Sequence, residues 1–352
     1  MIKINDKFNL FTSRLSLRAL KMSDLEDFYL YGKDFGVAED AGWTHFSSIK
    51  DAEVMLKRLI GYQNVIGIAK RSDNKIIGTL SFDKPFNFSD KNLTKGLNGI
   101  EVGYSVGKKF QGNGVATEAV KEFIRYAFLD IDDIDYLSLR AISSNEKSVN
   151  VALKCGFIHI EDFSVRTVYG SYKPGVYMLI KKNDYKSNLE HVSLYDEKTY
   201  ELKTYFLRGE KVPKGCLRGI VDCVVYNAKY DKYLVTKRSF KKNTFPGYFE
   251  CPEGAITYPE NELNSALREI YEEDGIKDIE LSFCYKVRLG FTLSFVYFGV
   301  TNVELDSVKM QASEVDEYYW LEKDEFLNRY NNPKFNPAQR KRIRKLVESK
   351  LK

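Results

Sequence analysis

The stretch GAITYPENELNSALREIYEEDGI, residues 254–276, constrains this chain more than any other. Read at 3.6 residues per turn, it predicts an α-helix that stops at Gly275, a residue suited to a left-handed C-cap. On that helix Glu269, Glu272 and Glu273 share one face, and Leu263, Leu267 and Ile270 form the opposite, core-facing stripe. Local electrostatics opposes the grouping twice. Like charges at that spacing repel by roughly a few tenths of a kcal/mol per pair, and the last turn is where the helix dipole disfavours anions. A merely solvated acidic face would sit near the N-terminus with lysines four residues on, whereas Lys277 is the only lysine in reach. A hard divalent cation, Mg2+ or Mn2+, resolves the conflict, because carboxylate oxygens are its preferred ligands.

At 352 residues the chain has room for two ordinary domains, and 43% hydrophobic with 29% charged residues fits a globular protein. The five cysteines, Cys155, Cys216, Cys223, Cys251 and Cys284, are scattered and never spaced as C-x-x-C, which argues against a disulfide framework or a zinc knuckle. No run approaches the roughly 18 apolar residues of a membrane span, and the first twenty residues lack an apolar signal core. The expectation is a cytoplasmic protein without a membrane partner. The net charge of +5 is local: residues 338–352, AQRKRIRKLVESKLK, carry seven Lys/Arg against one Glu, leaving 47 basic and 48 acidic residues elsewhere. In that tail Ile343, Leu346, Val347 and Leu351 recur at helical spacing, so it reads as an amphipathic helix with a solvated basic face rather than a nucleic-acid patch.

Organisation breaks near KKNDYKSNLEHVSLYDEKTYE, residues 181–201. Before it, strand patterns (NVIGIAKR, KIIGTLSF, GIEVGYSV, YLSLRAIS) alternate with helix patterns over 51–60, with Val54, Leu56, Leu59 and Ile60 apolar, and over 117–128. After it, LRGIVDCVVYNAKYDKYLVTKRS reads as a hairpin, followed by the acidic helix and further strands. Two domains, 1–186 and 187–352, of α/β and α+β class are expected.

The spacing Gly254, Glu260, Arg268-Glu269-Ile270, Glu272-Glu273, Gly275-Ile276 meets every fixed position of the Nudix box, and residues 188–335 resemble Nudix hydrolases. The resemblance implies an α/β/α sandwich, metal ligation by Glu269, Glu272, Glu273 and the backbone near Gly254, and bracing of the loop by Arg268 and Glu260. It also implies attack of water on a small-molecule diphosphate, aided by the metal and by a carboxylate base. Glu269, Glu314 and Glu317 are the candidates for that base; Glu314 and Glu317 read equally as an ordinary polar loop. The start of this domain is similar to the isopentenyl-diphosphate-isomerase-like branch. Isomerases carry Cys before the box Gly and His after it, where this chain has Glu253 and Ala255, so hydrolysis is expected. Cys251 reads as a packed side chain.

In the first domain, Gln111-Gly112-Asn113-Gly114-Val115-Ala116 joins a strand to a helix. Its glycines admit a ligand to backbone N–H groups at the helix start, which suit a diphosphate. Thr117 stands where a dinucleotide fingerprint needs a third Gly. Together with TSRLSLRAL, KIIGTLSF, Asn145, Ser148 and KCGF, this run resembles GNAT acetyltransferases of the Rim-type branch over residues 8–182, which implies a mixed sheet with helices. The implied ligand is acetyl-CoA, its pyrophosphate on Gln111 to Ala116, its pantetheine arm at Asn145, and its thioester where the strands of Tyr104 and Ser138 part. Ser148 is implied as thiolate donor. Glu101 is a possible base for the amine, or equally a strand-edge carboxylate in solvent. Trp43 could line the acceptor pocket or belong to the core. The acceptor that the resemblance implies is an amine, small molecule or protein N-terminus.

The expected protein is therefore a bifunctional enzyme. The rival is a hydrolase whose first domain only senses acetyl-CoA.

Overall fold

Short apolar runs bounded by turn residues build the first of two sheets. A computed structural model describes residues 3–351 apart from 87–91, 169, 243 and 312, and the chain divides into two units, Met1–Asn188 and Leu189–Lys352.

In the first unit the strands are β1 Asn9–Phe11, β2 Leu15–Ala19, β3 Val65–Lys70, β4 Ile76–Asp83, β5 Gly99–Val106, β6 Tyr136–Ile142, β7 Ile158–Arg166 and β8 Tyr172–Lys181. They lie in the order β1-β2-β3-β4-β5-β6-β8-β7, antiparallel except for β5 and β6. The helices are α1 Leu25–Gly32, α2 Phe35–Asp40, α3 Ile49–Tyr62, α4 Val115–Arg125, α5 Glu146–Lys154 and α6 Lys182–Ser187. Strand alternation puts Ile66 and Ile68 of β3 into the cluster shared with α4, and Val65 and Ala69 into that shared with α1 and α3. The sheet is thus covered on both faces. α3 begins in a capping box between Ser48 and Asp51; its buried face is Ala52 and Leu56, whereas Val54, read as apolar face, is 65% exposed. The feature that makes room for a ligand is the short parallel pairing of β5 with β6. It runs only from Gly99↔Tyr136 to Glu101↔Ser138, after which the strands part.

In the second unit the strands are β9 His191–Asp196, β10 Leu202–Leu207, β11 Cys216–Asn227, β12 Lys232–Arg238, β13 Phe249–Glu250, β14 Glu253–Ala255, β15 Ile279–Leu289, β16 Thr292–Thr301 and β17 Val315–Leu321. The helices are α7 Glu262–Asp274, α8 Lys323–Asn331 and α9 Pro337–Lys350. β11 is the hub: it runs parallel to β16 and antiparallel to β9, β12 and β14. The expected hairpin closes only at Tyr226↔Tyr233 and Asn227↔Lys232, and β12 then pairs with β17. Leu217, Val221, Cys223 and Val225 of β11 face Ala266 and Ile270 of α7, while Val224 joins Phe326 of α8 and Ile343, Leu346 and Val347 of α9. Helices therefore cover both faces, giving a sandwich.

Two sequence expectations need correction here. The core stripe of α7 is Ala266 and Ile270 with Ser265 and Asp274 beside them; Leu263 is 42% exposed. Small residues at 265 and 266 let the helix lie close to the sheet, and that approach sets its rotation. The basic face of α9 is not wholly solvated either. Arg342 turns inward and is buried against Asp222 of β11. No helix among the described residues is long and apolar enough to cross a membrane.

Candidate active sites

β14 ends in a turn that leads into α7, and Gly254 in that strand lies directly under the helix. A Cβ placed on Gly254 would stand 1.9 Å from the carboxyl carbon of Glu269, so only glycine admits that carboxylate. Asn261 caps the helix by accepting the Asn264 amide at 2.8 Å, and Gly275 ends it at φ 72°. Arg268 ties the turn to the helix: Nε donates to Glu260 at 3.0 Å, Nη2 to the Ala255 carbonyl at 3.2 Å and to Thr257 Oγ1 at 2.9 Å. Its Nη1 donates to Glu269 at 2.9 Å and Glu272 at 3.1 Å. The acidic face thus has a counterion that looking only toward the C-terminus missed, while Lys277 lies over the Tyr271 ring.

Arg268 does not neutralise the whole cluster. Burial, opposed by Arg268, raises the Glu269 carboxyl above its ordinary range, and burial with Asp274, Glu250 and Glu269 raises Glu273 well above it. Burial and Glu250 push Asp274 up to about 8, and neither of its carboxylate oxygens has a hydrogen-bond partner. As the side chains stand, no three His, Cys, Asp or Glu groups among the described residues are placed to hold a metal ion; Glu269 and Glu272 close on Arg268 instead. The donor chemistry nevertheless suits a hard cation, since oxygen ligands of like charge are gathered where burial makes their repulsion costly.

Behind the turn lies a charged network that sequence reading did not find. Arg342 of α9 donates to both oxygens of Asp222, at 2.7 and 3.0 Å, and to Glu253, which adjoins Gly254. Ser294 donates to Asp222, and Asn336 donates to Glu250 at 3.2 Å. Arg238 holds both oxygens of Glu250 at 2.7 Å. Nothing in a one-dimensional pattern signals these pairs, because partners such as Asp222 and Arg342 are 120 residues apart. Cys251 is fully buried here, its amide donating to Gln339 at 2.8 Å.

The two loop carboxylates part company. Glu314 pairs with Lys242, whose charge is also felt by Glu273. Glu317 pairs with Lys237 and accepts from Tyr319, whose ring packs in the cluster of α8 and α9. Strand alternation therefore puts Glu317 on the face away from α7.

In the first unit a cavity of about 530 Å3 opens where β5 leaves β6. Gln111, Gly112, Gly114, Val115 and Ala116 line it, as do Asn145, Ser148 and Tyr104; of the 111–116 run only Asn113 stands off the wall. Gly112 and Gly114 have φ of 79° and 73°, and no protein atom lies within 4 Å of a Cβ on Gly112, so the turn needs glycine for its backbone rather than for space. Arg14 fastens the turn, donating to the Asn113 carbonyl at 3.0 Å while paired to Glu118 at 2.6 Å. Asn145 caps α5 by accepting the Ser148 amide at 3.1 Å. Tyr104 donates to the Ser148 carbonyl at 2.8 Å and lies 3.1 Å from its hydroxyl; burial raises its phenol, which stays protonated.

Glu101 is not on this wall. It is paired with Arg140 at 2.6 Å and accepts the Phe86 amide at 3.1 Å. Trp43 packs on Tyr31 and Phe46 in the α1–α3 core, and Ser138 is buried at the end of the β5–β6 pairing.

Comparison with known proteins matches residues 14–158 to the acetyltransferase (GNAT) domain family and residues 217–346 to the NUDIX domain family. An uncharacterized N-acetyltransferase p20 of Bacillus licheniformis is 27% identical over 154 residues, 42% of this chain and 81% of the relative. A GNAT-family acetyltransferase from Bacillus anthracis shares 19% identity over 50% of this chain and 99% of its own, at a TM-score of 0.44. The ribosomal-protein-S5-alanine acetyltransferase from Vibrio fischeri shares 21% identity over 51% and 100%, at 0.39.

Proposed function

We propose that this chain, in which a GNAT acetyltransferase domain precedes a NUDIX domain, is a bifunctional cytoplasmic enzyme: an acetyl-CoA-dependent N-acetyltransferase joined to a Mg2+-dependent hydrolase of a diphosphate, a nucleoside diphosphate among the candidates, linked to another group. The observation that carries this reading is the first-domain cavity, whose wall joins a two-glycine helix start to a hydroxyl pair beside parting strands. The pyrophosphate of acetyl-CoA meets the amides of Gly112 to Ala116 at the α4 N-terminus, and the pantetheine arm passes Asn145. The acceptor nitrogen attacks the thioester carbonyl carbon, the carbon–sulfur bond breaks, the Ser148 hydroxyl, 3.1 Å from that of Tyr104, gives its proton to the departing thiolate, and the proton shed by the acylated nitrogen returns to Ser148 through water.

In the second domain Glu269, Glu272 and Glu273, with the backbone at Gly254, would hold Mg2+ or Mn2+. The cation supplies charge neutralisation of the diphosphate oxygens. Arg268 keeps the turn and the acidic face together; Glu314 accepts a proton from the water that attacks one phosphorus, the bridging phosphorus–oxygen bond breaks and the second phosphate leaves with its group, and Lys242, released by Glu314, turns to a substrate phosphate. The rival reading, a hydrolase with an acetyl-CoA sensor, draws support from Glu101, whose pairing with Arg140 removes it from the cavity. A screen of diphosphate compounds with Mg2+, reading the phosphate that an added phosphatase frees from the monoester products, tests the hydrolase. Glu272→Gln should nearly abolish release while preserving the fold. Full release in that variant, or in the wild type with divalent metal chelated, would contradict the assignment.

A further inference from the structure

We propose that Asp40 is the acceptor-binding group of the first-domain cavity and that the acceptor is a cationic amine, one presenting a second positive charge beside the nitrogen that is acetylated. The inference rests on the acetyltransferase reading of that cavity. Asp40 is the only carboxylate among its lining residues. Its carboxylate forms no hydrogen bond or ion pair among the described residues, whereas Glu101 is neutralised by Arg140 off the wall. The cations of the wall, Lys108, Lys147 and Lys154, belong to the segment leading into the 111–116 turn and to α5, the elements set against acetyl-CoA. Asp40 belongs to α2 and would repel phosphates, so its charge is matched to the other substrate.

The position is also held. Asp34 caps α2 by accepting the Val37 amide at 3.1 Å, and Glu39, next to Asp40, pairs with Lys173 of β8 at 3.0 Å. Gly42, at φ 77°, turns the chain out of the helix, and the Trp43 amide closes on the Ala38 carbonyl at 3.0 Å. Asp40 therefore ends a fixed helix at the cavity wall. An ammonium meeting that carboxylate leaves a second, neutral nitrogen of the same molecule free to attack the thioester.

The test uses the full chain with acetyl-CoA and follows thiol release with matched probes. These are 1,4-diaminobutane against 1-aminobutane, and a tripeptide amide beginning Ala-Lys against one beginning Ala-Glu. The wild type should favour the cationic member of at least one pair, the diamine pointing to a small-molecule acceptor and the peptide to a protein one. Asp40→Asn should lower kcat/KM for that member by about tenfold or more and erase the preference, and Asp40→Glu should restore part of it. Calorimetric affinity for acetyl-CoA should change less than about threefold in both variants. A preference that survives Asp40→Asn, or acetyl-CoA binding without turnover of any cationic probe, would overturn the proposal. Absence of acetyl-CoA binding to the wild type would instead defeat the reading on which it rests.

Discussion

Gly254 and Arg342 show how single side chains decide the second site. Because a Cβ at Gly254 would overlap the Glu269 carboxyl, Gly254→Ala should displace α7 and weaken Mn2+ binding by about tenfold or more, as read by electron paramagnetic resonance, while far-ultraviolet circular dichroism stays unchanged. Arg342→Met removes one partner of a buried ion pair and leaves Asp222 uncompensated, with Glu253 facing only Arg238 at 3.5 Å. It should cost roughly 3–5 kcal/mol in urea unfolding, and replacing Asp222 with Asn in the same chain should return part of that loss. The glycine's importance is legible in the sequence, because a spaced motif points to it. The arginine's is not: Arg342 sits in a basic run whose neighbours are solvated, and only the fold brings it to Asp222.

Among the elements, α7 and the β5–β6 pair do the positioning. Helix existence and limits follow from periodicity and caps, hence Asn261 and Gly275 mark α7 closely. Its rotation does not, since Leu263 and Leu267 look more apolar than Ala266 and Ser265, yet close packing on the sheet favours the small residues. Asn261→Ala removes the cap of the helix that carries the acidic face and should lower stability by about 1 kcal/mol, measured by urea unfolding with metal chelated. Saturating Mn2+ should recover part of the loss if the helix and the site are one unit. The parting of β5 and β6 was legible only as a place between Tyr104 and Ser138. Its outcome, a cavity that leaves Glu101 outside and takes in Asp40, depends on α2, which carries no strong pattern of its own.

Across the whole molecule, each unit holds its own buried apolar clusters on the two faces of its sheet. Fragments 1–188 and 189–352 should each fold with a cooperative thermal transition; two insoluble fragments that regain structure only when mixed would contradict that independence. The claim on which the transferase rests is that the turn at Gly112 to Ala116 receives the pyrophosphate of acetyl-CoA. Gly114→Asp puts a side chain and a negative charge at the α4 N-terminus, at a φ of 73° that Asp tolerates better than most residues. Isothermal titration of acetyl-CoA into the wild type and this variant measures the claim directly. The account predicts saturable heat for the wild type and a loss of affinity of about a hundredfold for the variant, about 2.7 kcal/mol. No heat for the wild type, or equal affinity in the two proteins, would contradict it.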